Sequence, residues 1–373
     1  MSTRRSALAH GVSVLVPLAV AACSGDSGAT RGGDATGGAG GSNTGGSSGD
    51  IGGSGGTGGL CGTGGFGGTG GAGASGGAGG AGGAGIIGPS CSGLAETCGP
   101  SGNANCCASS VVPGGGFYRS YDNVTFMDNC YPATVSDFML DLYEVTVGRF
   151  RNFVAGYPGN KPVAGAGKNP NDPSDRGWDG AWISNIPADQ AALVSGVKCD
   201  STHQTWTDTP GTNENRPMNC IEWEIAFAFC IWDGGRLPTE AEWNYAAAGG
   251  SEQRVYPWSV PPTSTMIDDS YAVFSLSSAQ DVGSKSPKGD GRWGQADLAG
   301  NVSEWVVDNY ANPYSNPCAN CANTSTLNTY NRVYRGGAFC TDASSLRAAG
   351  RDYEDPRPFG FEYALGVRCA RVP

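Results

Sequence analysis

The chain has 373 residues, among them 63 glycines and 14 cysteines, and its formal net charge is −11 at pH 7. The sequence pI of about 4.6 argues against a nucleic-acid-binding protein and against an electrostatic patch for anionic membranes. Aromatic and aliphatic residues concentrate after residue 91, so a sizeable core is available only in that part of the chain.

Residues 1–23 are predicted to be a signal peptide that does not belong to the fold. Two arginines precede an apolar run at residues 12–20, which is too short to span a membrane. The motif VAAC that follows resembles the lipobox of bacterial lipoproteins and predicts a lipid anchor on Cys23. The alternative is an ordinary secretory signal cleaved after Ala22. Both interpretations predict that the chain leaves the cytoplasm, and the lipid anchor predicts attachment to a bacterial membrane, on the periplasmic side or at the cell surface.

Residues 24–90 are a tract of glycine, alanine, serine and threonine. It has almost no apolar side chains to bury, so it cannot offset the entropy cost of folding and is predicted to be a disordered Gly-rich linker. A coil of this length separates its ends by about 45 Å, which suits a tether that holds a domain away from a membrane. A Gly-rich fibre is the alternative, but the tract lacks the three-residue period of collagen.

The cysteines indicate a disulfide framework. Setting Cys23 and Cys61 aside leaves 12 of the 14, an even number that is typical of disulfides in an exported chain. Five of them are predicted to staple a Cys-rich N-terminal cap over residues 91–130, ahead of a domain that spans 131–373. These five are Cys91, Cys98, Cys106, Cys107 and Cys130. A zinc site is the alternative, but the first two lack CxxC spacing and no histidine is nearby.

The domain is predicted to open with a strand and a helix. Residues 135–145 have the mixed alternation of a strand, and Thr146 can cap a helix over 147–155. A long segment rich in glycine, proline, asparagine and aspartate follows at 156–218, and loops of this length usually shape a binding face or are pinned by disulfides. Its tryptophans are equally consistent with a binding face and with a core of the loop itself; they are Trp178, Trp182 and Trp206.

Two further helices and two strands are predicted downstream. One helix falls within residues 219–235, and the other begins at Thr239, where Glu242 completes a capping box. Strands are predicted at 332–339 and at 365–371. Three arginines near the C-terminus are expected to hold the fold through buried carboxylate pairs rather than to bind an anion. They are Arg347, Arg351 and Arg368.

Four motifs occur in one order in this domain. They are RLPTEAEW at 236–243, DLAGNVSEW at 297–305, RVYRGGAF at 332–339 and LGVRCAR at 365–371. Together they resemble the formylglycine-generating enzyme family, also called the sulfatase-modifying-factor family. The resemblance implies an α+β domain of C-type-lectin-like architecture, with short sheets, few helices and much loop. It also implies a disulfide between Cys230 and Cys369, whereas a buried free thiol is the alternative for Cys230.

The resemblance further implies a calcium site in DLAGNVSEW. Carried over by position, its side-chain ligands are Asp297 and Glu304, and its carbonyl ligands are Gly300 and Val302. Hard oxygen ligands on a flexible turn suit Ca²⁺. The alternative is a surface turn that carries two solvated acids.

The resemblance also implies where copper chemistry takes place in active members. They bind Cu(I) through two soft thiolates, five residues apart, just after a GGS strand. Here GGAF is followed by Cys340, the candidate catalytic residue, while Ser344 and Ser345 stand where the second cysteine belongs. One thiolate cannot form that site, so copper is not expected. Cys318 and Cys321 in the preceding loop offer either a replacement sulfur or, as the favoured alternative, a disulfide to Cys340.

Histidine usage excludes another activity of this fold. Iron-dependent sulfoxide synthases use three histidines, whereas His203 is the one histidine after the signal peptide, and it is predicted to be simply exposed. We therefore interpret the chain as an envelope lipoprotein whose domain is a non-copper member that binds a ligand or an exported protein. The alternative is a divergent oxidase that converts a sulfatase cysteine to formylglycine.

Overall fold

The computed structural model describes residues 88–324, 331–354 and 362–373. Within these ranges the chain is α+β with few helices and short strands, which confirms the predicted class. The helices are α1 (Val147–Gly156), α2 (Gln190–Gly196), α3 (Trp223–Trp232) and α4 (Glu240–Ala247). The strands are β1 (Ser109–Val112), β2 (Gly115–Tyr118), β3 (Pro132–Val135), β4 (Phe138–Asp141), β5 (Ser303–Asn309), β6 (Cys318–Ala319), β7 (Arg332–Arg335), β8 (Asp352–Glu354), β9 (Leu365–Gly366) and β10 (Ala370–Arg371).

The strands form three small sheets. The first has the order β1-β4-β10, the second β2-β3-β6, and the third β8-β7-β5-β9. Pairing is parallel between β3 and β6 and between β5 and β9, and antiparallel elsewhere. Strand β1 pairs with β4, and β2 pairs with β3. Residues 109–118 therefore lie in the same sheets as strands that follow residue 131.

Local chemistry explains where the helices begin. The Thr146 hydroxyl accepts a hydrogen bond from Arg149 N at the start of α1. At α4, Thr239 and Glu242 form the predicted capping box, each side chain accepting from the other residue's backbone amide. Helix α3 is apolar on every side, and such a helix is stable only inside a core. Its residues from Trp223 to Cys230 are indeed all buried.

The long segment 156–218 packs into the core. Trp178, Trp182 and Trp206 are 1%, 7% and 4% exposed, respectively. The first two stack edge to face at 5.6 Å between ring centroids, and both lie against Phe227 of α3. The three tryptophans therefore belong to the core, as the second interpretation of this segment predicts. The disulfide between Cys199 and Cys220 fixes the end of the segment, as expected for an ordered loop of this length.

Two predicted strands are broken in the structure because each crosses between sheets. The segment predicted as a strand at 135–145 contains the end of β3, which belongs to the second sheet, and then β4, which belongs to the first. The segment 365–371 pairs first with β5 through β9 and then with β4 through β10. A period-two pattern in the sequence carries no signal for such a change of partner.

The disulfides described by the structure join both nearby and distant parts of the chain. Cys91 pairs with Cys107 and Cys98 with Cys106, at the start of the domain. Cys230 of α3 pairs with Cys369, the bond that the family resemblance implies. In the described part of the chain, no helix is long and apolar enough to cross a bilayer.

Candidate functional site

Glu304 of the DLAGNVSEW motif is buried in β5 and already has charged and polar partners. Arg368 Nε donates to both carboxylate oxygens at 2.8 Å, and Arg368 Nη2 lies 2.7 Å from Oε1. Trp243 Nε1 donates to Oε2 at 2.7 Å. A guanidinium therefore occupies the place where a calcium ion would bind the carboxylate, and Glu304 does not fit the role of a calcium ligand.

The other residues of the predicted calcium set are held by the fold itself. Asp297 is 6% exposed, and its Oδ2 accepts a hydrogen bond from Gly283 N at 2.6 Å. Gly300 N donates to Gly336 O at 2.9 Å, and Val302 N donates to Glu144 Oε1 at 3.0 Å. Both acids of the motif are buried, so the alternative of a solvated surface turn is wrong. No group of three or more His, Cys, Asp or Glu residues suited to a metal occurs in the residues described.

We expect calcium to leave the stability of the exported chain unchanged. An ion that binds only the folded state raises the melting temperature, by an amount that grows with the logarithm of its concentration relative to its dissociation constant. Because Glu304 is held by Arg368, melting curves recorded with calcium and with a calcium chelator should coincide. Magnesium serves as the control for a general salt effect. A lower melting temperature in the chelator alone would show that a calcium site exists.

Glu144 is a buried acid in this region whose importance the sequence analysis missed. It lies in DLYEV, which was interpreted only as strand, although an acid in an apolar run is itself a signal of a buried partner. Its Oε2 accepts from Asn301 Nδ2 at 2.6 Å, so it holds the turn in place. Burial raises its pKa well above the usual value, and the nearby Asp297 and Glu304 carboxylates raise it further.

A second buried acid cluster lies at the start of α4. Glu240 forms ion pairs with Arg335 and Arg351, both at 2.7 Å. Asp308 lies beside it, and its two oxygens accept from the backbone amides of Glu240 and Asn323, both at 2.7 Å. Burial raises the pKa of Asp308 to about 7, with repulsion from Glu240 as the next cause. The cluster is enclosed by the fold and has a structural role.

The three C-terminal arginines have the structural role predicted for them. Arg351 pairs with Glu240 at 2.7 Å and Arg368 with Glu304 at 2.7 Å. Arg347 pairs with Asp122 at 3.0 Å, and that carboxylate is fully buried.

We expect the free energy of unfolding to fall as the pH rises from about 5 to about 8. Burial raises the pKa of Asp297 to about 6 and that of Asp308 to about 7, whereas the usual value is 3.8. Across this window the folded chain binds more protons than the unfolded chain, so raising the pH favours unfolding. Over this window the expected loss is about 1.5 kcal/mol from Asp297 and about 2.5 kcal/mol from Asp308, and it is measured by denaturant unfolding.

Asp297→Asn provides the matched variant for this pH dependence. Asparagine can still accept the hydrogen bond from Gly283 N, and it tolerates the positive φ of 57° at this position. The variant should be more stable than the parent at about pH 8 and should show a flatter profile. A parent whose stability rises with pH over this window would contradict the prediction.

Cys340 lies on a segment fixed by backbone hydrogen bonds. Phe339 N donates to Asn301 O at 2.7 Å, and Leu276 N donates to Phe339 O at 2.7 Å. Ser275 N donates to Thr341 O at 2.9 Å. Cys340 itself is disulfide-bonded and therefore holds no thiolate in this structure.

Ser344 and Ser345 occupy the place of the second cysteine and face a carboxylate. The Ser344 hydroxyl donates to Asp342 Oδ1 at 2.6 Å, and the two backbone amides donate to the same oxygen at 3.0 and 3.2 Å. Asp342 thus caps a short 3₁₀ helix, Ala343–Leu346. Hydroxyls are hard donors that bind Cu(I) poorly, and these two are already engaged. The residues present do not fit a two-thiolate copper site.

The disulfide pairing of the CxxC cysteines in the preceding loop differs from the predicted pairing. Cys318 and Cys321 form a disulfide with each other. The predicted bond from this loop to Cys340 is therefore wrong, and the loop offers no replacement sulfur for copper. Two cysteines only three residues apart can meet without any long-range folding, and neither of the two predicted alternatives included this pair.

His203 is more ordered than predicted. Its side chain is 28% exposed, and its Nδ1 lies 2.9 Å from Asp200 Oδ1. Its ring stacks on Tyr363 with 4.6 Å between centroids and lies 6.1 Å from Phe339. The prediction of a simply exposed histidine is wrong. The aspartate three residues before the histidine was the available signal, because an Asp can fix both the turn and the imidazole.

These residues define one surface, which we call the Cys340 face. Its partly exposed members are Asp200, His203, Cys340 and Tyr363. Cys340 and Tyr363 pack against the cluster that contains the fully buried Phe339, and His203 stacks on Tyr363. Aromatic rings, an imidazole and a carboxylate meet there, so the face offers stacking, a hydrogen-bond donor and an acceptor. It combines groups suited to recognition with a sulfur that is not available as a nucleophile.

Comparison with known proteins gives consistent results. A family model described as "Sulfatase-modifying factor enzyme 1-like domain" matches residues 95–373. The chain is 34% identical over 182 residues to a formylglycine-generating enzyme of Streptomyces coelicolor, a match that covers 42% of this chain and 52% of that relative. It is 28% identical over 222 residues to "Inactive C-alpha-formylglycine-generating enzyme 2" of Bos taurus, covering 53% of this chain and 70% of that relative.

A solved structure agrees with the predicted fold. The structure of PvdO from Pseudomonas aeruginosa superposes with a TM-score of 0.50 at 20% identity, over 72% of this chain and 95% of that one. At this identity the likeness supports the fold alone. The predicted formylglycine-generating-enzyme fold is confirmed, and with the family match over residues 95–373 this chain belongs to the family of sulfatase-modifying factor enzyme 1-like domains.

Proposed function

We propose that this domain binds a ligand or an exported protein and does not carry out copper-dependent oxidation. The observation that supports the proposal is the chemistry after β7, where Cys340 is disulfide-bonded and Ser344 and Ser345 replace the second thiolate. Copper(I) requires soft ligands, and hydroxyls bonded to Asp342 do not supply them. The similarity to a bovine relative named as inactive is in keeping with this proposal.

The Cys340 face is the surface that we assign to the ligand. The contact between Asp200 and His203 orients the imidazole, and Tyr363 stacks on its ring at 4.6 Å between centroids, with the Phe339 ring 6.1 Å away. A preorganised polar group beside aromatic rings favours binding, because little side-chain entropy is lost when the ligand arrives. The ligand class that fits is a partner with both a planar or apolar portion and hydrogen-bonding groups.

An oxidase that converts a sulfatase cysteine to formylglycine is the second candidate. It is favoured by the 34% identity to a formylglycine-generating enzyme, although the chain spans about half the length of that relative. Cys340 is the residue on which such a reaction would depend, and it would require a reduced thiolate there.

Copper and a sulfatase peptide distinguish the two candidates. The exported chain is incubated with Cu(I), oxygen and a CxPxR peptide, and peptide mass and bound copper are measured. The formylglycine-generating enzyme of Streptomyces coelicolor serves as the positive control. We expect neither peptide conversion nor stoichiometric copper. Conversion of the peptide, or one Cu(I) bound in a manner that Cys340→Ser abolishes, would establish the oxidase instead.

The lipid anchor is part of the proposed function because it holds the domain at the cell envelope. The motif that ends in Cys23 supports acylation, and the Gly-rich linker at 24–90 supplies the reach. We expect Cys23→Ala to move the protein from the membrane fraction to the soluble fraction, since acylation is the strong membrane signal in the sequence. Fractionation followed by immunoblotting measures this, with Cys61→Ala as the matched control. A Cys23→Ala protein that stays in the membrane fraction would disprove the anchor.

A further inference from the structure

The two cysteines of the CxxC disulfide differ in their exposure to solvent. Cys318 lies in β6 and is 5% exposed, whereas Cys321 follows the turn and is partly exposed. Strand β6 pairs with β3. Asn320 N donates a hydrogen bond to Thr134 O, and Asn320 Oδ1 accepts one from Ser136 N, so the turn is fixed on the sheet. An incoming thiol can therefore reach Cys321, whereas Cys318 is buried in the core.

A guanidinium lies against the more exposed sulfur. Arg119 Nη1 is 3.6 Å from Cys321 Sγ. The arginine is 4% exposed, and its Nη2 donates to Ser315 O and to Asn316 Oδ1, both at 2.8 Å. Its guanidinium also lies 4.4 Å from the ring centroid of Tyr314. The cation is therefore held beside the sulfur, where it stabilises a thiolate more than a thiol.

The charge of Arg119 is not cancelled by a direct partner. Among the residues that the structure describes, it forms no ion pair with a carboxylate at 4.0 Å or less. The ionisable groups that act on it are Tyr314, Glu240, Asp308 and Arg351. Glu240 is itself engaged by Arg335 and Arg351. A positive charge thus remains available to a thiolate on Cys321.

The other disulfides have different surroundings. Cys230 and Cys369 are both fully buried and out of reach of a thiol. The polar neighbours of the two N-terminal disulfides are the hydroxyls of Ser90 and Thr97 and the amide of Asn215. Cys199 is exposed, so the Cys199–Cys220 bond provides a comparison in which a thiol has access. Among the disulfides whose two cysteines the structure describes, access together with a fixed cation at the sulfur distinguishes Cys318–Cys321.

We propose that Cys318 and Cys321 form a thiol–disulfide exchange site that oxidises dithiols in other proteins. A substrate thiolate attacks Cys321 Sγ, breaking the bond to Cys318, which leaves as a thiolate and takes up a proton. A second substrate thiolate then attacks the substrate sulfur of the mixed disulfide, and Cys321 leaves as a thiolate beside Arg119. The substrate loses two electrons and two protons and gains a disulfide, while the Cys318–Cys321 pair gains both electrons; one proton ends on Cys318, and the other passes to the solvent because Cys321 stays a thiolate.

Stabilising the Cys321 thiolate also explains the direction of the reaction. A disulfide whose reduced form is stabilised is a stronger oxidant, and a better-stabilised thiolate is a better leaving group. Both effects come from Arg119 and favour transfer of the disulfide to the substrate. The proposal concerns a site other than the Cys340 face and does not depend on the function assigned there.

A redox titration of the unaltered exported chain tests the proposal. The oxidised protein is equilibrated with glutathione buffers of stepped composition, quenched with acid and differentially alkylated, and each cysteine peptide is assigned by mass. We expect Cys318–Cys321 to be half reduced at a reduced-to-oxidised ratio about tenfold or more below that needed for Cys199–Cys220. Reduction of Cys199–Cys220 first, or together with the CxxC pair, would overturn the proposal.

Variants of Arg119 test the source of the effect. After reduction of the CxxC pair, the rate of alkylation of Cys321 is followed as a function of pH. In Arg119→Gln the midpoint should rise by about one pH unit, and Arg119→Lys should restore part of the difference. An unchanged midpoint in a folded Arg119→Gln protein would exclude the arginine as the cause and overturn the proposed chemistry.

Turnover is tested with a reduced dithiol peptide as the probe. One peptide disulfide should form for each oxidised protein, and one free Cys318–Cys321 dithiol should appear. Cys318→Ser together with Cys321→Ser should abolish the reaction, and Cys199→Ser together with Cys220→Ser should leave it intact. A reaction that survives loss of the CxxC pair would assign the activity elsewhere and overturn the proposal.

Discussion

Arg368→Ala is expected to lower the free energy of unfolding by about 3 to 5 kcal/mol. The substitution leaves the Glu304 carboxylate buried without its cation, close to the acids Glu144 and Asp297. It also removes donors to the backbone carbonyls of Asp141, Leu142 and Ala296. Because native domains are stable by only about 5 to 15 kcal/mol, this one change can remove most of the stability.

A double variant separates the cost of burying an unpaired charge from the net contribution of the ion pair to the free energy of unfolding. Glu304→Leu combined with Arg368→Met replaces both ions by apolar side chains, so no unpaired charge remains in the core. We expect it to be more stable than Arg368→Ala in denaturant unfolding. Lys198→Met is the surface control, because Lys198 and Asp208 form an ion pair at 2.7 Å with side chains 37% and 64% exposed. Its cost should stay below about 1 kcal/mol. A similar loss in the surface control and in Arg368→Ala would refute the account of the buried pair.

Among the disulfides whose two cysteines the structure describes, replacing Cys230 and Cys369 by alanine is expected to be the most destabilising loss. These cysteines are 139 residues apart in sequence, so the bond restricts a large loop in the unfolded chain. The chain-entropy model gives about 5 kcal/mol for this loop. Cys199 and Cys220 are 21 residues apart and Cys318 and Cys321 only three, for which the same model gives about 3 and about 2 kcal/mol.

The three disulfides therefore form an internal series for measurement. Double alanine variants of each pair are unfolded in denaturant under oxidising conditions, and their losses are ranked. The expected order follows loop length, with the Cys230–Cys369 variant at the largest loss. An equal loss in all three variants, or the largest loss at Cys318–Cys321, would contradict the entropic origin. The buried positions of Cys230 and Cys369 add a small cavity term to the first variant.

The fold was predictable where short-range signals and motif order agree. The capping box at Thr239 and Glu242 is chemistry that acts over three residues, and the structure reproduces it. Four motifs in one order identified the family, although none of them alone specifies the sheets. Thr146 as the cap of α1 is a further local signal that the structure reproduces.

The candidate site was less predictable because its contacts are long-range. Glu304 and Arg368 are 64 residues apart, and no local pattern states that they pair inside the core. The same holds for Glu144 and Asn301, which are 157 residues apart. Position within a motif suggested calcium ligands at Asp297 and Glu304, but the distribution of charge around those acids depends on the complete fold.

The switch of the segment 365–371 between sheets has a consequence for biosynthesis. β10 adds the third strand to the sheet that begins with β1, and the same segment supplies Arg368 to Glu304 and Cys369 to Cys230. Until the ribosome has released these residues, a nascent chain lacks the strand, the counterion and the sulfur that complete its two main sheets. Contacts this far apart in sequence also form slowly. We therefore expect this domain to complete its fold only once residues 365–371 are available to the rest of the chain.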